Sequence, residues 1–130
     1  MLDTEKRKFT RIPFETEITL STDTQRISAS RMRNVSLGGM FVLTTETLPL
    51  NALCVVEIDL IGPASLLRMR LEADVIRVEP DGIAVKFTKM DMDSLVHLRH
   101  LITIHADSPE HIDEEYYKTL FGVEPPPLKT

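Results

Sequence analysis

Two short polar segments near the N-terminus carry residue types that bind anions. The first holds Arg7, Lys8 and Arg11, with three residues between the two arginines. A guanidinium group can donate paired hydrogen bonds to a phosphate, or to the O6 and N7 acceptors of guanine. The second segment, residues 34–39, supplies an amide, a hydroxyl and two glycines, which suit a tight turn whose backbone approaches a ligand. Together the two segments predict an anion site, although neither is specific alone.

The charge balance restricts what this site can bind. The chain of 130 residues has a formal net charge of -5, which argues against non-specific coating of a nucleic acid polymer or an anionic membrane. Residues 24–45 nevertheless contain no Asp or Glu, and they include Arg26, Arg31 and Arg33. The predicted site is therefore a local cationic surface on an acidic protein.

Strands are predicted to position these segments. Apolar residues alternate with polar ones in the middle of the chain, which is typical of half-buried strands, and Glu79-Pro80-Asp81-Gly82 is a hairpin turn sequence. The number of short strands favours a closed antiparallel barrel with about six strands over alternating strands and helices. The predicted strands are 16–20, 26–33, 40–44, 54–60, 67–75 and 83–88.

The C-terminal part has helical spacing instead. From Asp91 onward, leucines recur every three or four residues, and Asp93 or Ser94 is a candidate N-cap. A second helix is predicted to begin at Ser108-Pro109-Glu110 and to end at Gly122. The final prolines predict an irregular tail.

Other reactive residues do not form a recognisable catalytic or metal site. His97 and His100 are three apart on the predicted helix but lack a third ligand at suitable spacing. The single Cys54 lies on the inward face of its strand, as a small hydrophobe would. We therefore expect no enzyme activity, no metal and no cofactor. We also expect a cytoplasmic protein without membrane insertion, since neither a secretory signal nor a long apolar run is present.

The two polar segments together resemble the motifs of the PilZ domain family, RxxxR followed by [DN]xSxxG. Arg7 and Arg11 match the first motif, and Asn34, Ser36 and Gly39 match the second. The similarity extends from about Arg7 to Ile104. It implies a mainly β fold, a six-stranded antiparallel barrel with one or two C-terminal helices.

The resemblance also implies a ligand, the bacterial second messenger cyclic di-GMP. In the family, the RxxxR arginines hold the phosphates and the Hoogsteen edges of guanine, and the polar residues of the second motif contact the ligand from the barrel. These roles carry over to Arg7, Arg11, Asn34 and Ser36, with Gly39 completing the motif. Lys8 is interpreted as a steering charge. Arg31 and Arg33 either support a phosphate or are simply exposed.

The expected organisation is a ligand-binding arm at 1–12, the barrel and its helix at 13–106, and a second short helix with a Pro-rich tail at 107–130. The arm is expected to be mobile without ligand. The predicted function is a non-enzymatic receptor that binds cyclic di-GMP and relays the signal to a partner protein, with motility or biofilm control as the family-level expectation. The alternative is a PilZ-like adaptor that binds a protein without needing nucleotide. An RNA-binding barrel is disfavoured, because the chain has no Trp and only two Tyr.

Overall fold

The structure is a computed structural model, and it describes residues 11–107 and 110–126. Within these residues the chain forms nine strands and two helices. The strands are β1 (Arg11–Pro13), β2 (Glu15–Ser21), β3 (Arg26–Ala29), β4 (Met32–Val35), β5 (Gly39–Leu43), β6 (Leu53–Ile61), β7 (Leu66–Glu79), β8 (Gly82–Lys89) and β9 (His111–Asp113), and the helices are α1 (Met92–Asp107) and α2 (Glu114–Phe121).

Seven of the strands form one curled antiparallel sheet, a half-barrel. Their order is β3-β2-β6-β7-β8-β5-β4, so β3 and β4 lie at opposite edges although they are consecutive in sequence. Only Ser30 and Arg31 connect them. Because three residue steps span at most about 10 Å, the two edges must curve toward each other. The predicted mainly β fold with C-terminal helices is confirmed, while the predicted single strand 26–33 is two strands that close the sheet from both sides.

The core follows the predicted alternation. Val56 of β6 pairs with Leu71 of β7, and both are fully buried. The outward residues of the same two strands form cross-strand ion pairs. In the next pair along, Arg70 Nη1 lies 2.8 Å from Glu57 Oε2. Each strand therefore has one apolar and one charged face. The buried residues of the two strands are Cys54, Val56, Ile58, Leu60, Met69, Leu71, Ala73 and Val75.

The N-cap of α1 is Asp91, two or three residues before the predicted caps Asp93 and Ser94. The Asp91 carboxylate accepts a hydrogen bond from the Ser94 backbone N–H at 2.7 Å, which caps the first turn. This bond favours the ionised carboxylate and lowers the pKa of Asp91. The helix then buries Leu98, Leu101 and Ile104 against the barrel.

The second helix begins at Glu114, not at the predicted Ser108-Pro109-Glu110. Asp113 is its N-cap and accepts from the Tyr116 N–H, and Gly122 ends it with φ 72, as predicted. Residues 111–113 instead form β9, which pairs with β1. Ile112 lies opposite Ile12 in that pair, and both are buried. Burial of this apolar pair explains why the segment extends rather than entering the helix.

The two helices meet through an imidazole and a phenol ring. The rings of His100 and Tyr116 are edge to face with centroids 5.6 Å apart. The Nδ1 atoms of His97 and His100 are both buried without a hydrogen-bond partner among the described residues. Burial, with a smaller effect of His97, lowers the pKa of His100.

The burial of His100 predicts that the folded protein is less stable in mild acid. Folded His100 binds a proton less readily than unfolded His100, so its contribution to stability is complete above the unfolded pKa of about 6.5 and is lost as the pH falls below it. The melting temperature should therefore be lower at about pH 5.5 than at about pH 7.5. In His100→Gln this difference should shrink. An undiminished difference in the variant would show that other groups cause the acid sensitivity.

Candidate functional site

The second polar segment forms a tight turn between β4 and β5. The sequence predicted a turn over the whole segment. Instead, Asn34 is in β4 and Gly39 begins β5, so the two ends of the segment are paired strand residues. The Ser36 N–H donates to the Gly39 carbonyl at 2.8 Å. The Ser36 hydroxyl oxygen accepts from the Gly38 N–H at 3.2 Å. This serine therefore organises the turn while its side chain stays exposed.

The two glycines of this turn have different surroundings. A Cβ on Gly39 would lie 2.2 Å from the Val85 carbonyl oxygen on the neighbouring strand β8. A Cβ on Gly38 would meet only the Ser36 hydroxyl oxygen, at 3.9 Å. Gly39 is thus required by the close approach of two strands, and Gly38 is not.

A row of cross-strand partners runs over the outer face of the sheet from this turn. Across four strands, Asn34, Phe41, Ala84 and Arg77 are successive cross-strand partners. Phe41 points outward, since Met40 and Val42 on either side belong to the core cluster and Phe41 does not. It is nevertheless only 2% exposed. Side chains lying over it must exclude the water.

Arginines provide that cover. The Arg33 guanidinium carbon lies 4.1 Å from the centre of the Phe41 ring, and that of Arg77 lies 5.9 Å away. In the next cross-strand row, Lys86 pairs with Gly39 and is exposed. We name the surface made by Arg33, Phe41, Arg77, Ala84 and Lys86 the outer-face patch. It has a floor of small and aromatic side chains bordered by three cations.

Two of these cations are already paired with carboxylates. Arg33 donates to Asp81 and lies 3.9 Å from Glu79. The Arg77 Nε atom donates to Glu79 at 2.6 Å. Arg33 is therefore exposed but paired with carboxylates, and its supporting contact with a phosphate stays a prediction. Arg31 is exposed, and its carbonyl accepts from the Leu43 N–H at 3.0 Å.

The first motif is only partly described. Arg7 and Lys8 lie outside the described residues. Arg11 is the first residue of β1 and lies opposite Asp113 of β9, so this end of the expected arm is a paired strand, while the mobility of the arm stays a prediction. Its side chain is exposed, and one guanidinium nitrogen donates to the His111 carbonyl at 3.0 Å.

The last turn of α1 adjoins residues that flank both motif segments. Ile104 lines a small apolar pocket together with Phe14, which follows β1, and Ile112 of β9. The next residue, His105, places its Nε2 atom 3.5 Å from the Arg33 carbonyl oxygen. Residues next to each motif segment, Phe14 after β1 and Arg33 before Asn34, therefore lie beside the last turn of α1.

Other candidate groups behave as structural residues. Burial raises the pKa of the Cys54 thiol to about 11, which keeps it protonated at neutral pH. Among residues 11–107 and 110–126, no group of three or more His, Cys, Asp or Glu is arranged to bind a metal ion. In the same part of the chain, no helix is long and apolar enough to span a membrane.

A sequence profile of the PilZ domain matches residues 5–103. The chain belongs to the PilZ domain family. A crystal structure of an uncharacterized Legionella protein is 24% identical, with a TM-score of 0.44, and the alignment covers 75% of this chain and 95% of that one. No curated protein matches the chain. The PilZ match includes both motifs, the half-barrel and most of α1, but not β9 or α2.

The PilZ motifs did not reveal the outer-face patch. Phe41, Arg77 and Lys86 follow no motif, and the pairing of β5 with β8 and of β8 with β7 brings them together. One signal was present in the sequence. Met40-Phe41-Val42 is an uninterrupted apolar run, which indicates a strand covered on both faces.

Proposed function

We propose that this PilZ protein is a cyclic di-GMP receptor without enzyme activity, which relays ligand binding to a partner protein in the bacterial cytoplasm. The family supports a binding and adaptor role. The nucleotide assignment is carried by the conjunction of both complete sequence motifs with the placement of their flanking residues, since Phe14 and Arg33 both lie beside the last turn of α1. A ligand between these segments would touch both motifs. Control of motility or biofilm formation remains the family-level expectation for the pathway.

The two motifs are proposed to contact different parts of the ligand. Arg7 and Arg11 are proposed to hold the phosphates and the Hoogsteen edges of guanine, and Asn34 and Ser36 to contact the ligand from the turn. The two negative phosphates also require local positive charge in an acidic protein. The cations of the outer-face patch supply it beside the turn, and Lys8 adds a steering charge.

The route of the signal follows from the strand pairing. Strand β1 carries Arg11 and pairs with β9, which leads directly into α2. A ligand that binds Arg11 therefore contacts the β1–β9 sheet. Among the described residues, this is the only sheet that joins the PilZ domain to the C-terminal segment. We propose that this segment changes its position or exposure for the partner protein.

Calorimetric titration with cyclic di-GMP tests the proposal, with GMP and a single-stranded oligonucleotide as controls. Saturable binding of cyclic di-GMP alone is expected. Oligonucleotide binding would favour the RNA-binding reading. If none of the three binds, the chain is a nucleotide-independent adaptor.

Selectivity for guanine is a separate prediction. Adenine presents an amino donor where guanine presents O6, so an arginine loses a matched contact there. Cyclic di-AMP should therefore bind at least about tenfold more weakly, corresponding to ~1–3 kcal/mol per mismatched contact. The measurement is the same titration with both dinucleotides. Equal affinities would show that only the phosphates are recognised.

A further inference from the structure

Two carboxylates beside the outer-face patch, those of Asp81 and Glu79, pair with the cations that a ligand phosphate would use. Resting on the proposed function, we propose that Asp81 and Glu79 are built-in competitors, which hold Arg33 and Arg77 until the phosphates of cyclic di-GMP replace them. The chain's own acids then set the affinity of the site. Neither acid belongs to the PilZ motifs.

Position is the first argument. Arg33 immediately precedes Asn34 of the second motif, and its carbonyl lies beside His105 at the end of α1. Its guanidinium group lies over Phe41, the cross-strand partner of Asn34. A ligand that contacts Asn34 is therefore next to the Arg33 charge. Arg77 lies further along the same cross-strand row, beyond Ala84.

The second argument is that the carboxylates are replaceable. The side chains of Arg33 and Asp81 are 46% and 60% exposed, and Asp81 is in the two-residue turn between β7 and β8. Ion pairs between exposed side chains contribute little net stability, because water and salt screen them. A doubly charged ligand held at the same time by Arg11 and by the turn can displace such a partner.

The third argument is that the arginine stays in place when its partner changes. The Phe41 ring supports the Arg33 guanidinium from below at 4.1 Å, and a cation over an aromatic face is attracted to it. Loss of Asp81 would therefore leave a positioned cation on the patch. Without such a support, the freed side chain would simply move into solvent.

The test compares cyclic di-GMP affinity in Asp81→Asn and Glu79→Gln with a matched control, Glu57→Gln. Glu57 also forms an exposed ion pair on the outer sheet face, with Arg70 at 2.8 Å, and its change alters the net charge equally. We expect Asp81→Asn to bind about three- to fivefold more tightly than wild type, and Glu79→Gln to bind more tightly as well. Glu57→Gln should bind like wild type. Thermal unfolding of each variant checks that the barrel is intact.

A double mutant assigns the effect to Arg33. The gain from Asp81→Asn should disappear when Arg33→Gln is already present, because the released charge is then missing. If wild type binds and Asp81→Asn does not bind more tightly, or if Glu57→Gln gains equally, the competition is refuted and the proposed function stands. If neither wild type nor any variant binds cyclic di-GMP, the proposed function itself fails.

Discussion

Arg11→Ala is expected to remove most of the affinity for cyclic di-GMP while leaving the fold intact. A hydrogen bond to a charged group contributes about 1.5–3 kcal/mol, which corresponds to a loss of roughly 10- to 150-fold in affinity. The side chain is exposed and makes one hydrogen bond, to the His111 carbonyl. Its removal should therefore change the free energy of unfolding little. Titration calorimetry and thermal unfolding measure the two effects, and Arg7→Ala is expected to lose affinity in the same way.

Arg26→Ala is the matched control for Arg11→Ala. Arg26 is also exposed and begins β3, opposite Ser21. It lines a groove with Glu57 and Arg70, and no described residue of either motif lines that groove. Both variants lose one positive charge, so general steering of the anionic ligand falls equally. If the two variants bind equally well, Arg11 acts only through net charge and the site assignment is wrong.

The inward strand faces could be predicted because alternation is a local property of the sequence. Val56 and Leu71 lie on apolar faces that any half-buried strand of this pattern would bury, and both are in the core. Gly122 likewise ends α2 because its own φ of 72 favours glycine. In each case, neighbouring residues contain all the information.

The long-range pairings could not be predicted in this way. Strands β1 and β9 have three residues each and are about a hundred positions apart, so neither has a recognisable pattern alone. Nothing in the local sequence argues against the helix start predicted at Pro109. The pairing of Ile12 with Ile112 favours a strand there instead, and this pairing is visible only in three dimensions.

The candidate site divides along the same line. Its motif residues follow from spacing, which is why Arg11, Asn34 and Gly39 could be named from the sequence. The outer-face patch depends on strand order, since Phe41 and Arg77 meet only across β8. The pairing of Arg33 with Asp81 likewise needs β4 and the β7–β8 turn to come together. A motif can therefore name candidate ligand residues, but it does not reveal the acids that pair with the cations beside them.

Gly39→Ala should destabilise the fold and weaken ligand binding, whereas Gly38→Ala should do neither to a comparable extent. The added methyl group at position 39 would lie 2.2 Å from the Val85 carbonyl oxygen, so β5 and β8 must separate there. Introducing a methyl group into a packed site of this kind costs about 1–3 kcal/mol. Thermal or urea unfolding measures the change in the free energy of unfolding, and titration with cyclic di-GMP measures the change in affinity.

Gly38 makes the comparison specific, since it differs from Gly39 by one position in the same turn. A methyl group there has room, and the Gly38 φ lies outside the left-handed region. Comparable destabilisation by both substitutions would mean that the turn needs glycine for its flexibility and not for close strand approach. If Gly39→Ala alone is destabilising and also binds weakly, the last residue of the motif acts by bringing β5 against β8. That contact holds Ser36 and Asn34 at the edge of the outer-face patch, where the proposed ligand would meet them.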